Sequence, residues 1–399
     1  MSDTPFETPS RVIFMGTPDF AVPTLRVLLE EPDFDVVGVV TQPDRPAGRG
    51  RSVHESPVKQ VAQQAGVPVI QPNKLREPDA FEQLVAWESD YLVVAAFGQI
   101  LPQKVLDLPR IAPINVHASL LPRWRGAAPI HAAIRAGDTY TGVTTMQMDA
   151  GLDTGPVLLQ DSIPIAPCET GETLHDKLAR LGAGLLIHTL RWLRSGSITP
   201  HPQPTKELLV TYAPQLSKED GAINWAQSAI EIDRHVRAYT PWPGTFTTWN
   251  GKRLKILAGY PLAVDVGAPP GMVVGTAGTP MAEAMPFVIA AGKLAYVPTR
   301  VQVAGRQVTG RQAATTQVQQ AEALDAMAPA RTALHEGAIT TDHVTVLARL
   351  KFVFGDVALL GHDARDLEFH LRRRDLDLRV PRRARVAHAR QHVGDGISH

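Results

Sequence analysis

Short β-branched runs alternating with helix-capable segments dominate the N-terminal half of the chain, and few folds accommodate that order. Residues 11–16 (RVIFMG) make an apolar run that breaks on glycine, and a helix-like stretch follows Pro18-Asp19-Phe20 as far as Glu30. Residues 36–41, 67–70, 91–97 and 114–117 repeat the run, with helix-capable residues 57–65 and 77–87 between them. Strand, turn and helix in rotation predict a Rossmann-like, doubly wound α/β domain, a parallel sheet covered by helices. Such sheets bind ligands beyond the carboxyl ends of their strands, so Gly16, the segment after Gln42, Gly98 and Asn115 are expected on one rim.

At 399 residues the chain exceeds the length at which a single core stops growing. A long helix is expected over residues 170–193. The polar, proline-rich connector that follows, residues 195–207 (SGSITPHPQPTKE), places a boundary near 205. Beyond it, residues 223–225, 245–249, 254–259, 271–274, 287–289 and 294–297 read as short strands between turn signals, with one helix over 226–238. This pattern predicts a small β-barrel. The expected organisation is a first domain at 1–205, a barrel at 208–311 and a tail at 312–399, where the composition turns Ala/Gln-rich and then arginine-dense.

The 40 basic and 40 acidic side chains cancel, so no global field draws the protein to nucleic acid or membrane, and any polyanion must meet a local patch. The single cysteine, Cys168, cannot close an intramolecular disulfide or build a multi-cysteine metal site, and it reads as a buried small hydrophobe. The polar opening has no apolar signal core behind it, and no run approaches the roughly 18 apolar residues of a membrane helix, so a cytoplasmic protein is expected.

The chemistry concentrates in residues 115–126 (NVHASLLPRWRG) and 149–155 (DAGLDTG). Asn115 and His117, two apart at a strand end, point to the same side of the sheet and can act on one atom. An amide NH₂ can donate to a developing oxyanion, and an imidazole can hold or pass a proton near neutral pH. A carboxylate such as Asp153, brought in from a neighbouring strand end, would fix the imidazole's tautomer and favour its protonated form. Together they suit acyl transfer. The residues alone leave two other readings open: Asn115 as a loop cap beside a satisfied strand-end histidine, or metal binding by His117, His131 and the aspartates, which lack the close pairing of a zinc site.

The stretches NVHASLLPRWRGAAPI and TGVTTMQMDAGLDTG closely resemble the signature of the folate-dependent N-formyltransferases, and WRGAAPI is similar to the branch acting on methionyl initiator tRNA. The resemblance implies a formyltransferase fold with an OB-like second domain, 10-formyltetrahydrofolate as formyl donor and no metal. It also implies a catalytic trio at Asn115, His117 and Asp153 and a folate-binding segment at Ser119, Leu120, Leu121 and Pro122. The nucleophile would be the methionyl α-amine, whose free-amine reference value of roughly 7.7 to 8.0 drops when the carboxyl is esterified, so little activation is needed. Asp149 reads as a turn residue.

Gly16-Thr17-Pro18-Asp19-Phe20 lacks the G-x-G-x-x-G of a dinucleotide site, which disfavours a nicotinamide enzyme, and GTPDFA is similar to the family's opening. Residues 42–56 (QPDRPAGRGRSVHES) are long for a connection in an α/β domain and carry Arg45, Arg49 and Arg51 among glycines, a composition suited to gripping phosphates or to a solvated loop. PDRPAGRG resembles the family's inserted loop for initiator tRNA, with Arg49 at the recognition position. The second domain resembles the family through VTYAPQLSKEDGAINW and RAYTPWPGTFT. Lys293, Arg300, Arg306 and Arg311 offer it a basic face that could track RNA or simply keep an edge soluble. The resemblance covers about residues 11–310 and implies a monomer. Residues 312–399 resemble nothing in the family and fit an RNA-binding extension, a disordered appendage or translation of a wrong frame. Two rivals stand beside this reading. One is an enzyme of the same fold acting on a small amine or hydrolysing formylfolate, which would need neither the arginine insert nor the second domain. The other is a non-catalytic tRNA-binding protein.

Overall fold

The computed structural model describes residues 8–47, 52–204, 209–249, 251–275, 287–303 and 306–309. In the first part, strands β1 (Ser10–Gly16), β2 (Phe34–Val40), β3 (Arg45–Ala47), β4 (Ser52–His54), β5 (Val69–Ile70), β6 (Tyr91–Ala95), β7 (Ala112–His117), β8 (Tyr140–Gln147) and β9 (Val157–Pro164) alternate with helices. The helices are α1 (Val22–Glu30), α2 (Pro57–Gln64), α3 (Pro78–Ala86), α4 (Gln103–Leu106), α5 (Pro129–Ala136) and α6 (Gly171–Arg194). Seven strands form one sheet in the order β5-β2-β1-β6-β7-β8-β9. Its first five strands are parallel, as the alternation predicts.

Both faces are covered, and successive β1 side chains enter opposite cores. Val12 and Phe14 pack with α1, α2, α5 and α6, whereas Ile13 and Met15 pack with α3 and α4. That two-sided burial is why the strands read as nearly continuous apolar runs. The sheet is not wholly parallel, however. β8 and β9 continue it antiparallel, an edge the sequence reading did not identify as strands because the threonine-rich TGVTTMQ lacks an apolar run. Cys168 also departs from expectation: it is exposed, in the turn leading to the Thr170 cap of α6.

The connector after α6 does not behave as a solvated tether. His201 exchanges two 2.8 Å backbone hydrogen bonds with Val157 at the start of β9, and Gln203 is buried. Further on, Thr211 and Ala213 pair with Arg125 and Ala128. Helix α7 (Ala229–Ala238) follows, started by a reciprocal Ser228–Glu231 capping box, and packs on α5. Strands β10 (Thr245–Trp249), β11 (Lys252–Leu262), β12 (Val273–Gly275), β13 (Phe287–Ala290), β14 (Ala295–Val303) and β15 (Arg306–Thr309) complete an OB-like antiparallel sheet. Its described pairings run β10-β11-β14-β13-β12, with β15 on β14, so they trace an open, curled sheet rather than a closed ring. The strand expected at 223–225 is instead an irregular segment bridged through Ala222 to Phe246. Residues 311–399, and with them Arg311 and the tail, lie outside the described residues. No described helix is long and apolar enough to cross a membrane.

Candidate active site

β7 carries Asn115 and His117 to the carboxyl-end rim, where Asn115 pairs with Val94 of β6 and Met146 of β8. The turn between β8 and β9 brings Asp153 against them. Asp149 builds that turn, accepting hydrogen bonds from the Gly151 amide at 3.0 Å and the Thr154 hydroxyl at 2.7 Å. Asp153 itself sits at φ 50°, in the left-handed region that non-glycine residues seldom occupy and that clusters at functional sites. One carboxylate oxygen accepts from Asn115 Nδ2 at 3.2 Å. The other accepts from the Gly126 amide at 2.8 Å and lies 3.7 Å from His117 Nδ1.

His117 is 6% exposed, and its Nε2 is 2.9 Å from the Trp124 carbonyl. A carbonyl can only accept, so Nε2 carries the hydrogen and Nδ1 is the nitrogen turned toward Asp153. The tautomer is therefore set by Trp124, and the expectation that Asp153 sets it is corrected. Trp124 is in turn held from three sides. Its amide donates to Thr211 Oγ1 at 2.8 Å, its indole donates to Asp138 at 2.7 Å, and Arg123, paired with Asp138, lies 4.3 Å over its ring. Gly126 completes the loop at φ 110°, where a Cβ would stand 2.7 Å from the Ala213 carbonyl. No other residue fits there without moving the backbone.

In the segment 119–122 most of the polar groups face inward. Ser119 is fully buried, its hydroxyl donating to the Arg123 carbonyl and its carbonyl accepting from Thr144. The Leu121 amide donates to Thr144 Oγ1 and its carbonyl accepts from Gln160. Leu120 and Pro122 are half-buried and present the accessible surface of the segment.

On the other half of the rim, a cleft of about 550 Å³ is walled by Thr17 and Pro18, the base of the 42–56 insert, and Ala96–Gly98; Asn115, His117 and Asp153 lie outside its wall. Gly16 there is required by packing, since a Cβ would lie 2.7 Å from that of Ala21 and 3.0 Å from the Ala95 carbonyl. The insert is not a bare loop: β3 and β4 pair as a two-stranded ribbon, with Arg45 opposite His54. Its base is tied by Asp44, which accepts from Lys59 and, at 2.7 Å, from Gln71. The Lys59 hydrogen bond, then that of Gln71, holds the Asp44 carboxyl below its usual range, and Asp44 raises Lys59 reciprocally. Arg49 and Arg51 lie outside the described residues, as does the side chain of Arg45. Lys293, just before β14, and Arg300, on β14, are exposed.

Three contributors escaped the sequence reading. The Trp124 carbonyl is a backbone group with no sequence mark. Gln203 lies in a stretch whose composition describes any tether. Ile100, on the turn after β6, is 91% exposed, and Leu152 beside Asp153 is 61% exposed, an apolar flank visible only once the rim is built. Among the described residues no group of three or more His, Cys, Asp or Glu is placed to hold a metal.

Comparison with known proteins places both parts of the described chain in one family. Residues 10–190 match the family described as Formyl transferase, and residues 215–316 match Formyl transferase, C-terminal domain. A methionyl-tRNA formyltransferase of Pseudomonas fluorescens is 48% identical over 297 residues, 74% of this chain and 90% of that one. One from Magnetococcus marinus is 50% identical over 298 residues, 74% of this chain and 92% of that one. Among solved structures, an N-formyltransferase from Helicobacter canadensis, in complex with folinic acid and dTDP-3-aminofucose, shares the fold. It has a TM-score of 0.54 and 19% identity, covering 73% of this chain and 98% of that one. The chain belongs to the formyltransferase family and, within it, groups with the methionyl-tRNA formyltransferases.

Proposed function

We propose that the protein transfers the formyl group of 10-formyltetrahydrofolate to the α-amine of methionyl initiator tRNA, with Asn115, His117 and Asp153 at the reacting centre. The observation that carries this reading is the convergence of Asn115 Nδ2, His117 Nδ1 and the Asp153 carboxylate at one strand end. The folate supplies, when bound, an electrophilic formyl carbon attached to a nitrogen that can leave. The site suits such a ligand: the exposed Ile100, on the turn after β6, and Leu152, next to Asp153 in the chain, offer apolar surface for a flat ring, and Leu120 and Pro122 offer a further edge.

Each side chain has a definite task. One N–H of Asn115 is oriented by Asp153, which leaves the second to bind negative charge developing on the formyl oxygen. Trp124 occupies His117 Nε2, so Nδ1 is the atom that takes up the proton released by the amine and returns one to the leaving nitrogen. Asp153, anchored by the Gly126 amide, keeps a negative charge facing Nδ1 and stabilises the imidazolium between those transfers.

The arginine-bearing insert supports tRNA as the amine carrier. Arg45, Arg49 and Arg51 would grip the acceptor end, with Arg49 the recognition residue, and the cleft at the insert's base gives that end a route to the rim. Exposed Lys293 and Arg300 extend a basic face on the second domain. We infer a cytoplasmic monomer with a first domain at 1–205 and a tRNA-binding domain at 208–311. The test is transfer of labelled formyl to methionyl initiator tRNA, beside methionyl elongator tRNA and free methionine. Product on the initiator alone is expected; product on none of them, with folate still bound, would overturn the assignment. Arg49→Ala should weaken use of the tRNA and spare folate binding, and unchanged kinetics would remove Arg49 from the recognition role.

A further inference from the structure

We infer that Gln203, from the connector between the two domains, is a positioning residue for the reacting centre; the inference builds on the functional reading above. Gln203 is 7% exposed, and its amide uses its hydrogen-bonding capacity in full. The carbonyl oxygen accepts from Arg125 Nε at 3.1 Å and Nη2 at 2.7 Å, while the NH₂ donates to the carbonyls of Asp153 and Gly155, both at 2.8 Å. The reversed amide would set N–H against N–H and oxygen against oxygen, so only this orientation is stable. One side chain thereby joins the two segments that meet at the Asp153 carboxylate: the 153–155 turn that supplies it, and the Arg125-Gly126 loop whose amide anchors it at 2.8 Å.

The sequence prepares Gln203 for this part. It stands between Pro202 and Pro204, and the residue before a proline is confined to extended backbone, so its side chain projects in a set direction. The preceding His201 is already clamped to Val157. Asp153 needs such support because its left-handed backbone is costly and persists only where surrounding contacts over-determine it. Arg125 is likewise 8% exposed, and Gln203 Oε1 is the acceptor that faces its guanidinium.

Gln203→Glu separates the two halves of the role, because it keeps an acceptor for Arg125 and loses both donors to the turn. Turnover of methionyl initiator tRNA should fall roughly 10- to 100-fold in kcat, the scale of loss when a reacting group is misplaced by a fraction of an ångström to an ångström. KM for tRNA and for the formyl donor should stay within about two-fold. Combined with Asp153→Asn, the substitution should cost nothing further, since it acts through Asp153. Gln203→Asn, one methylene too short to reach both partners, is read in the same way if the glutamate variant does not fold. Hydrogen exchange at the Gly126 amide supplies a readout independent of activity, and it should quicken at least about ten-fold in either variant relative to wild type. A folded variant with wild-type kcat and unchanged Gly126 exchange, or one whose loss repeats in full on the Asp153→Asn background, would overturn the inference. A wild-type protein that formylates no tRNA would instead overturn the functional reading, and Gly126 exchange would still decide the part played by Gln203.

Discussion

The two halves of the strand-end rim are built differently. Around Asn115, His117 and Asp153 the contacts join residues far apart in the chain, with Asn115 reaching Asp153, Gln203 reaching Asp153 and Trp124 reaching Thr211. At the cleft of about 550 Å³, Thr17 and Gln42 in its wall both donate to the distant Phe97 carbonyl, but the foot of the ribbon is tied locally, among Thr41, Asp44, Ser56, Lys59 and Gln71. The first half leaves one N–H of Asn115 unassigned and turns His117 Nδ1 toward Asp153, and it ties most of the polar groups around them. The second keeps open volume. Stabilising charge requires dipoles that do not reorganise, whereas admitting a large substrate requires room, and on the proposed reading the two demands fall in different places.

Substitutions can break or sharpen that contrast. Asn115→Ala should give the largest effect, a loss of roughly 100- to 1000-fold in kcat, as for removal of one preorganised donor. Steady-state kinetics with both substrates saturating measure it, and a variant near wild-type rate would dissolve the distinction between the halves. The next effect falls on the seam between α5 and α7. Burial first, and then the Arg135 charge, push His235 down to about 4, with Nδ1 facing Arg135 at 3.1 Å and Nε2 donating to the Asp220 carbonyl. A histidine held below its unfolded value contributes stability that is present above about pH 6.5 and lost as pH falls toward 4, up to about 3 kcal/mol. His235→Gln, which cannot take up a proton, should flatten that slope in denaturant unfolding between pH 4 and 6.5, while parallel slopes would refute the assignment.

Smaller effects belong to the open half. Asp44→Asn removes the carboxylate that ties Lys59 and Gln71, a half-buried pair still close to solvent, so KM for tRNA should rise roughly 2- to 5-fold with kcat unchanged. A fall in kcat instead would show that the two halves are mechanically joined. Smallest of all, Asp149→Ala removes only contacts within its own turn, and kcat should stay within about two-fold. A loss comparable to that of Asn115→Ala would mean that the turn, and not Gln203, sets the position of Asp153.

Much of this architecture was legible before any coordinates. Strands β1, β2, β6 and β7 announce themselves because burial on both faces demands unbroken apolar runs, and α6 does so through its length and its Thr170 start. The convergence of Asn115 and His117 follows from strand periodicity alone. β8 and β9 give a weak signal, because the threonines of the buried β8 break its apolar run and polar residues break that of the exposed edge strand β9. Residue type points Cys168 to the interior, whereas its position in a turn before a helix cap leaves it exposed.

Local patterning, then, determined what the chain needs no distant partner to decide: the order of elements, the parallel run of the sheet and the rim on which the polar residues gather. Those properties depend on side-chain periodicity and turn chemistry, which neighbours in sequence supply. Tertiary structure alone decided which nitrogen of His117 faces Asp153, how Asp153 is held at φ 50°, and that a proline-rich connector reaches back to support it. Each of those is settled by a hydrogen bond to a backbone carbonyl or amide, and every residue but proline carries both, so residue identity cannot say which of them will be in reach.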